Sequence, residues 1–136
     1  MTRYLLDTNH ISPLVTLSHP LRHRIFTNIS NDDTFCVATL CITEVLFGMG
    51  MLPRAIDNLN EWERMRERFT ILSFQRIEAE QAARLQIALR RNGRQLGTVD
   101  AIIAVIALRD DLTLLTTDSD FDAIPDLKTS NWIKRS

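Results

Sequence analysis

The chain has 136 residues, 45% of them hydrophobic and 24% charged, with a formal net charge of −1. That is the profile of a soluble globular protein, long enough for one domain spanning 1–136 and too short for two. No run of about 18 uninterrupted apolar residues is present to cross a bilayer. Met1 to Asp7 has neither a basic lead nor a cleavable apolar stretch, so the expected location is the cytoplasm, with no membrane partner. Cys36 and Cys41 show neither C-x-x-C spacing nor neighbouring histidines, which excludes a disulfide scaffold or zinc site and leaves two small buried hydrophobes. The near-neutral charge argues against tight, sequence-blind nucleic-acid binding through a broad basic surface. Lys128 and Lys134 are the only lysines. The arginine skew suits bidentate phosphate contacts, and coding bias with solvated helix faces explains it equally well.

In chain order, Arg3-Tyr4-Leu5-Leu6 is a short apolar run that ends on Asp7 and the turn-prone Thr8-Asn9, which predicts a buried strand. Ile11 to Leu17 reads as a short helix. Pro20 suits the first turn of another, carrying Leu21, Ile25 and Ile29 on one side until Asn31-Asp32-Asp33 stops it. Thr34 to Ala38 is a β-branched and aromatic strand. Thr39 is placed to cap an apolar helix through Leu40, Glu44 and Phe47 that closes near Gly48 and Gly50. A longer amphipathic helix is expected from about Pro53 to Arg68, with Ile56, Leu59, Trp62, Met65 and Phe69 at three- and four-residue spacing. Thr70 to Phe74 reads as a third strand, and Ile77 to Arg91 as a helix buried through Ala82, Leu85 and Leu89 and ended by Asn92-Gly93. After a loop to Gly97, the run from Thr98 to Leu108 is apolar nearly all round, the mark of a helix packed on most sides. Leu112 to Thr116 is a fourth strand, Thr117 to Pro125 a loop or helical turn, and Lys128 to Ile133 an edge strand. Strands alternating with helices define an α/β domain with a mainly parallel sheet, whose strand carboxyl ends share one edge where such folds place ligands.

Four acids fall at that edge. Asp7 ends the first strand, Asp118 follows the fourth, Glu44 lies inside the helix after the second, and Asp100 opens the most apolar helix. Singly, each has a structural explanation: a turn at Asp7, helix-dipole complementation at Asp100, turn chemistry at Asp118. Glu44 is harder to explain so, because an ionised group within Leu40 to Phe47 is expected to need a partner. Two carboxylates about 4 Å apart repel by roughly 4 kcal/mol at an effective dielectric near 20, so a cluster of four calls for cations. Hard oxygen ligands select Mg²⁺ or Mn²⁺. Such a cation also activates water and stabilises a leaving oxygen of a phosphodiester.

Four segments carry a family resemblance: Leu5-Leu6-Asp7-Thr8-Asn9; Ala38 to Gly48 around Thr43-Glu44; Gly97-Thr98-Val99-Asp100-Ala101; and Leu114-Leu115-Thr116-Thr117-Asp118-Ser119-Asp120-Phe121. In order and spacing they resemble the motifs of PIN-domain ribonucleases, most closely the VapC-type toxins of toxin–antitoxin pairs. The resemblance implies a PIN-like three-layer sandwich with a parallel five-stranded sheet and Mg²⁺- or Mn²⁺-dependent endoribonuclease activity. It further implies a homodimer and a cognate VapB-type antitoxin that blocks the site. It assigns Asp7, Glu44, Asp100 and Asp118 to the catalytic metal-binding set, with Asp120 serving in place of Asp118 or supporting it through a water. Thr8, Asn9 and Thr116 are then donors that orient the carboxylates.

Arg90, Arg91 and Arg94 precede the loop to Asp100 and are candidates to hold RNA phosphates; an exposed helix end that favours cations accounts for them equally. His10 is close to Asp7, but an oxygen-rich metal site does not need it, and His19 and His23 read as surface residues. Phe47, Met49, Met51 and Leu52, with Trp62 and Met65, read first as core and second as a groove for an antitoxin helix. A receiver-like Mg²⁺-binding signalling module is a rival, yet it needs a lysine after its last core strand, where this chain has Thr117-Asp118. A PIN fold that only binds RNA or a partner is another, against which the complete set of acids speaks. No P-loop motif is present for a nucleotide triphosphatase.

Overall fold

A computed structural model describes residues 1–133. β1 (Arg3–Leu6) leads into α1 (Thr8–Ile11), a 3-10 turn (Ser12–Val15) and α2 (Pro20–Ser30). β2 (Thr34–Ala38) is followed by α3 (Thr39–Gly50), α4 (Ala55–Met65) and a 3-10 turn (Arg66–Arg68). Then come β3 (Thr70–Leu72), α5 (Arg76–Arg91), α6 (Thr98–Arg109), β4 (Thr113–Leu115), a 3-10 turn (Ser119–Ala123) and β5 (Thr129–Ser130).

The five strands form one all-parallel sheet in the order β3-β2-β1-β4-β5. Connections step toward β3 for the first half of the chain and back past β1 for the second. Right-handed crossovers then put α1 to α4 on one face and α5 with α6 on the other. The central strands are covered on both sides, which is why they read as continuous apolar runs: Leu5, Leu6, Leu114 and Leu115 are all fully buried. α6 supplies Ala101, Ile103, Ala104, Val105, Ile106 and Ala107 to the same core. Removing each large side chain of this kind from water stabilises the fold by about 1.5–3 kcal/mol.

Several boundaries differ from those expected, each for a local reason. α1 starts at Thr8, not Ile11, because the Asp7 carboxylate caps it, accepting from the Thr8 N–H at 2.8 Å. Pro13, lacking an N–H, then turns the chain into a 3-10 segment. Thr39 does not cap α3; Ala38 takes the cap position in extended conformation and Thr39 is the first helical residue. α4 is shorter than Pro53 to Arg68, and Ile56 lies outside its apolar stripe, 77% exposed. β3 stops before Phe74. β5 keeps only Thr129–Ser130, because the chain then leaves the sheet and lays Trp132 over the Tyr4 and Phe35 rings, with centroids at 4.9 and 5.8 Å. Among the described residues, no helix is long and apolar enough to cross a membrane.

Candidate metal centre

In this strand order the winding reverses between β1 and β4, and the carboxyl ends of strands at such a switch point are where α/β sheets open a crevice and bind ligands. Leu6 pairs with Leu115, and the Asp7 N–H extends the ladder to the Leu115 carbonyl at 3.0 Å. Asp7 therefore sits at the head of the crevice with its backbone fixed. Its buried carboxylate is fixed as well: Oδ1 accepts from the Thr8 N–H, and Oδ2 accepts from the Thr116 hydroxyl at 2.7 Å and the Asn9 amide at 3.2 Å.

Across the crevice, the Asp118 N–H donates to Thr116 Oγ1 at 3.0 Å, and Asp118 Oδ1 accepts from the Asp120 N–H at 2.9 Å. The second bond starts the Ser119–Ala123 turn, which the fully buried Phe121 anchors. Asp100 stands in the first turn of α6, held at the site by a helix whose middle, Ala101 and Ile103 to Ala107, is core. Glu44 approaches from α3, where its Oε1 accepts from the Thr8 hydroxyl at 3.3 Å. Glu44 is exposed, so the expectation that it lies buried in an apolar helix and must be neutralised there does not hold. Cys41, Val45 and Met49 form the buried face of α3 and Glu44 projects from its flank, beside Cys41 on the helix surface.

The electrostatics tie these groups together. Asp100 has its carboxyl pushed from 3.8 up to about 6, first by burial and then by the charges of Asp7, Asp118, Glu44 and Asp120. Beneath them the fully buried Cys41 thiol is driven up to about 12, mainly by burial and next by Asp7, so it stays protonated. Among the described residues, no ion pair reaches any of the five acids; every salt bridge lies elsewhere. Nor do three acidic, histidine or cysteine side chains close into a ligand cage among those residues. An open cluster of carboxylates with no salt-bridge partner among the described residues is a donor set that fits Mg²⁺ or Mn²⁺, which bind through one or two carboxylates and retain several waters.

Thr8, Asn9 and Thr116 all hydrogen-bond to these acids. Arg90 and Arg91 are in the last turn of α5 and Arg94 just beyond it, all exposed. Two residues read differently in the structure. His19 is not simply superficial: its Nδ1 accepts from the Leu21 N–H at 3.1 Å and caps α2. His10 is fully buried, and its ring joins Asn9 to Trp132. No local signal points to that link, since His10 and Trp132 are 122 residues apart.

A parallel α/β sheet whose switch point gathers acids with no salt-bridge partner among the described residues defines the class: a small α/β protein with an acidic site at its strand carboxyl ends. The family model described as PIN domain matches residues 4–127. The chain is 28% identical to Ribonuclease VapC2 of Haemophilus influenzae over 98% of its own length and 100% of that protein's. It is 26% identical to the tRNA(fMet)-specific endonuclease VapC of Shigella flexneri over 97% and 99%. Its fold matches the structure of VapBC2 from Rickettsia felis bound to a DNA fragment from their promoter, with a TM-score of 0.83 and 21% identity over 96% and 99% of the two chains. The chain belongs to the PIN domain family, and the relatives it matches along their whole length are VapC ribonucleases and endonucleases.

Proposed function

We propose that this protein is a divalent-metal-dependent endoribonuclease that hydrolyses RNA phosphodiester bonds in the cytoplasm as the toxin of a VapBC-type pair. The observation that carries the reading is the set of five carboxylates, Asp100 and its four acidic neighbours, with no salt-bridge partner among the described residues. Asp7, Glu44, Asp100 and Asp118 are the metal-binding and catalytic set, with Asp120 behind Asp118. Thr8, Asn9 and Thr116 hold the carboxylates in place. Bound there, Mg²⁺ or Mn²⁺ supplies charge neutralisation and water activation for in-line attack on phosphorus. Asp7, held by three donors, contributes an oxygen whose direction does not have to be found during turnover. Arg90, Arg91 and Arg94 present guanidinium forks to RNA phosphates near the N-terminus of α6.

A cognate VapB-type antitoxin fits the apolar surface on the α3–α4 side. Leu17, Phe47, Met51, Leu52 and Ile56 are each more than half exposed. Leu17 and Leu52 also line a groove of about 770 Å³ between the Ser12–Ser18 segment and the start of α4. A second apolar surface, where Ile77 and Leu85 of α5 face Val105 and Leu108 of α6, is available to a homodimer.

The test is incubation of the purified protein with total RNA, with and without Mn²⁺ or Mg²⁺, beside Asp7→Asn and Asp100→Asn variants and a DNA control. The expected result is RNA cleavage that requires the cation and is lost in both variants. Equal cleavage by all three proteins would remove the proposed mechanism. Growth arrest on expression, relieved by the product of the neighbouring small gene, separates a toxin from a housekeeping nuclease.

A further inference from the structure

His10 sits in a chain of hydrogen bonds whose direction is determined at both ends. At one end the Trp132 N–H, which can only donate, faces His10 Nε2 at 3.1 Å. Nε2 therefore carries the lone pair, and in the neutral ring the proton is on Nδ1. Nδ1 lies 2.7 Å from Asn9 Oδ1 and donates to it. The orientation of the Asn9 amide is fixed independently, because Oδ1 also accepts from the Thr117 N–H at 3.2 Å while Nδ2 donates to Asp7 Oδ2 at 3.2 Å. A flipped amide would set its NH₂ against two donors and its oxygen against a carboxylate.

The ring is neutral on these grounds, since an imidazolium would point an N–H at the Trp132 N–H. Burial acts in the same direction, holding the His10 pKa down at about 4. With no exposed surface, the ring cannot reach a substrate. At its far end, Trp132 packs edge-on against Tyr4 of β1 and Phe35 of β2, with the Arg24 guanidinium 3.7 Å above it.

We propose that His10 is a positioning residue that carries the placement of the segment after β5 through the Asn9 amide into the orientation of Asp7 Oδ2. This rests on the reading of Asp7 as a metal ligand. The chain from Trp132 N–H to His10, to Asn9, to Asp7 ties the last described turn of the polypeptide to the first strand end. The Asp7 carboxylate is thereby kept turned toward the crevice, and supporting hydrogen bonds of this kind typically change metal affinity 10–100-fold when lost.

Two substitutions divide the ring into its halves. In His10→Asn the amide nitrogen takes the place of Nδ1 and keeps the bond to Asn9 but does not reach Trp132. In His10→Gln the side-chain oxygen reaches the place of Nε2 and keeps the bond from Trp132 but leaves Asn9 without its donor. The readouts are Mn²⁺ affinity, measured by electron paramagnetic resonance of the free ion, and the melting temperature of the metal-free full-length protein, with Asp7→Asn as reference. The expected result is Mn²⁺ binding at least tenfold weaker in His10→Gln with little loss of melting temperature. His10→Asn is expected to melt earlier and bind within about threefold of wild type, as a spared bond to Asn9 requires.

Wild-type Mn²⁺ affinity in His10→Gln, or affinity that merely follows melting temperature across both variants, overturns the proposal. If Asp7→Asn also binds Mn²⁺ normally, the metal-site reading itself fails; if Asp7→Asn loses binding and His10→Gln does not, only the role of His10 fails. Nitrogen-15 spectra of the wild-type imidazole at pH 7 add a measurement that needs no variant to fold. The Nδ1–H tautomer supports the proposal, and the Nε2–H tautomer or an imidazolium overturns it.

Discussion

Glu61 and Asp100 are both acids in partly or largely buried settings, and the fold treats them in opposite ways. Glu61 is 7% exposed, with Arg22 at 2.7 Å and Arg64 at 2.9 Å. Burial pushes its carboxyl up, and the hydrogen bonds from the two guanidinium groups outweigh that and hold it below the ordinary range. Glu78, equally buried, has Arg109 at 3.0 Å. Asp100 has carboxylates for neighbours instead, and its carboxyl is driven up to about 6. The chain neutralises its structural acids with its own arginines and leaves the crevice acids without one, among the described residues. The difference marks where a cation from outside is expected.

The largest effect that would break this contrast is on activity. Asp100→Asn and Asp7→Asn should each lower RNA cleavage by about 100-fold or more, since each removes a ligand of the cation that neutralises developing charge. Glu61→Gln should cleave normally in the same assay. Its cost should appear in urea denaturation instead, at about 1–3 kcal/mol, because two arginines lose the charge they surround. Loss of activity in Glu61→Gln with normal activity in Asp100→Asn would invert the assignment of the two regions.

The next effect is on stability, and its sign runs against intuition. The folded-state value of Asp100, about 6, lies above its ordinary 3.8. Between those values the folded chain keeps a proton that the unfolded chain has released. Stability of the metal-free protein therefore falls as pH rises through that window, and above it the ionised cluster is the less stable form. Metal-free Asp100→Asn should accordingly be more stable than wild type at pH 7.5, by about 1–2 kcal/mol after allowance for solvent screening. The gain should shrink toward pH 4. Thermal melts at the two pH values measure it.

Cation binding should show the same window from the other side. A proton on Asp100 competes with the cation, so Mn²⁺ should raise the melting temperature clearly at pH 7.5 and much less at pH 5. An equal rise at both values would mean that Asp100 is not at the binding point. The smallest effect concerns the substrate: replacing Arg90, Arg91 and Arg94 together with alanine should raise KM several-fold with little change in kcat. The difference from wild type should narrow as salt rises, as it does for any phosphate contact.

The sheet and the four acidic positions were legible in the sequence because each rests on a local pattern. Leu5-Leu6 running straight into Asp7 marks a covered strand that stops at an edge, and the apolar run after Thr98 marks a helix with core on most sides. What escaped is set by packing between distant segments. Ile56 fits a three-residue spacing with Leu59 and Trp62 but lies to one side of the buried stripe of α4, while Ala55 and Asn58 beside it are half-buried. Glu44 looked buried because the α3 sequence is apolar nearly throughout, although one of its faces stays uncovered. His10 next to the Asp7 turn suggested either chemistry or nothing, and only the return of the chain at Trp132 gives its ring a partner on each nitrogen.

Isothermal titration with Mn²⁺ at pH 7.5 tests the central claim most directly, run on wild type, Asp7→Asn, Asp100→Asn and Glu61→Gln in buffers of different ionisation enthalpy. Saturable binding with proton release in wild type and Glu61→Gln, and loss of it in the two crevice variants, is the result expected. Binding that survives in both Asp7→Asn and Asp100→Asn, or none in the wild type, would contradict a metal centre at the β1–β4 crevice.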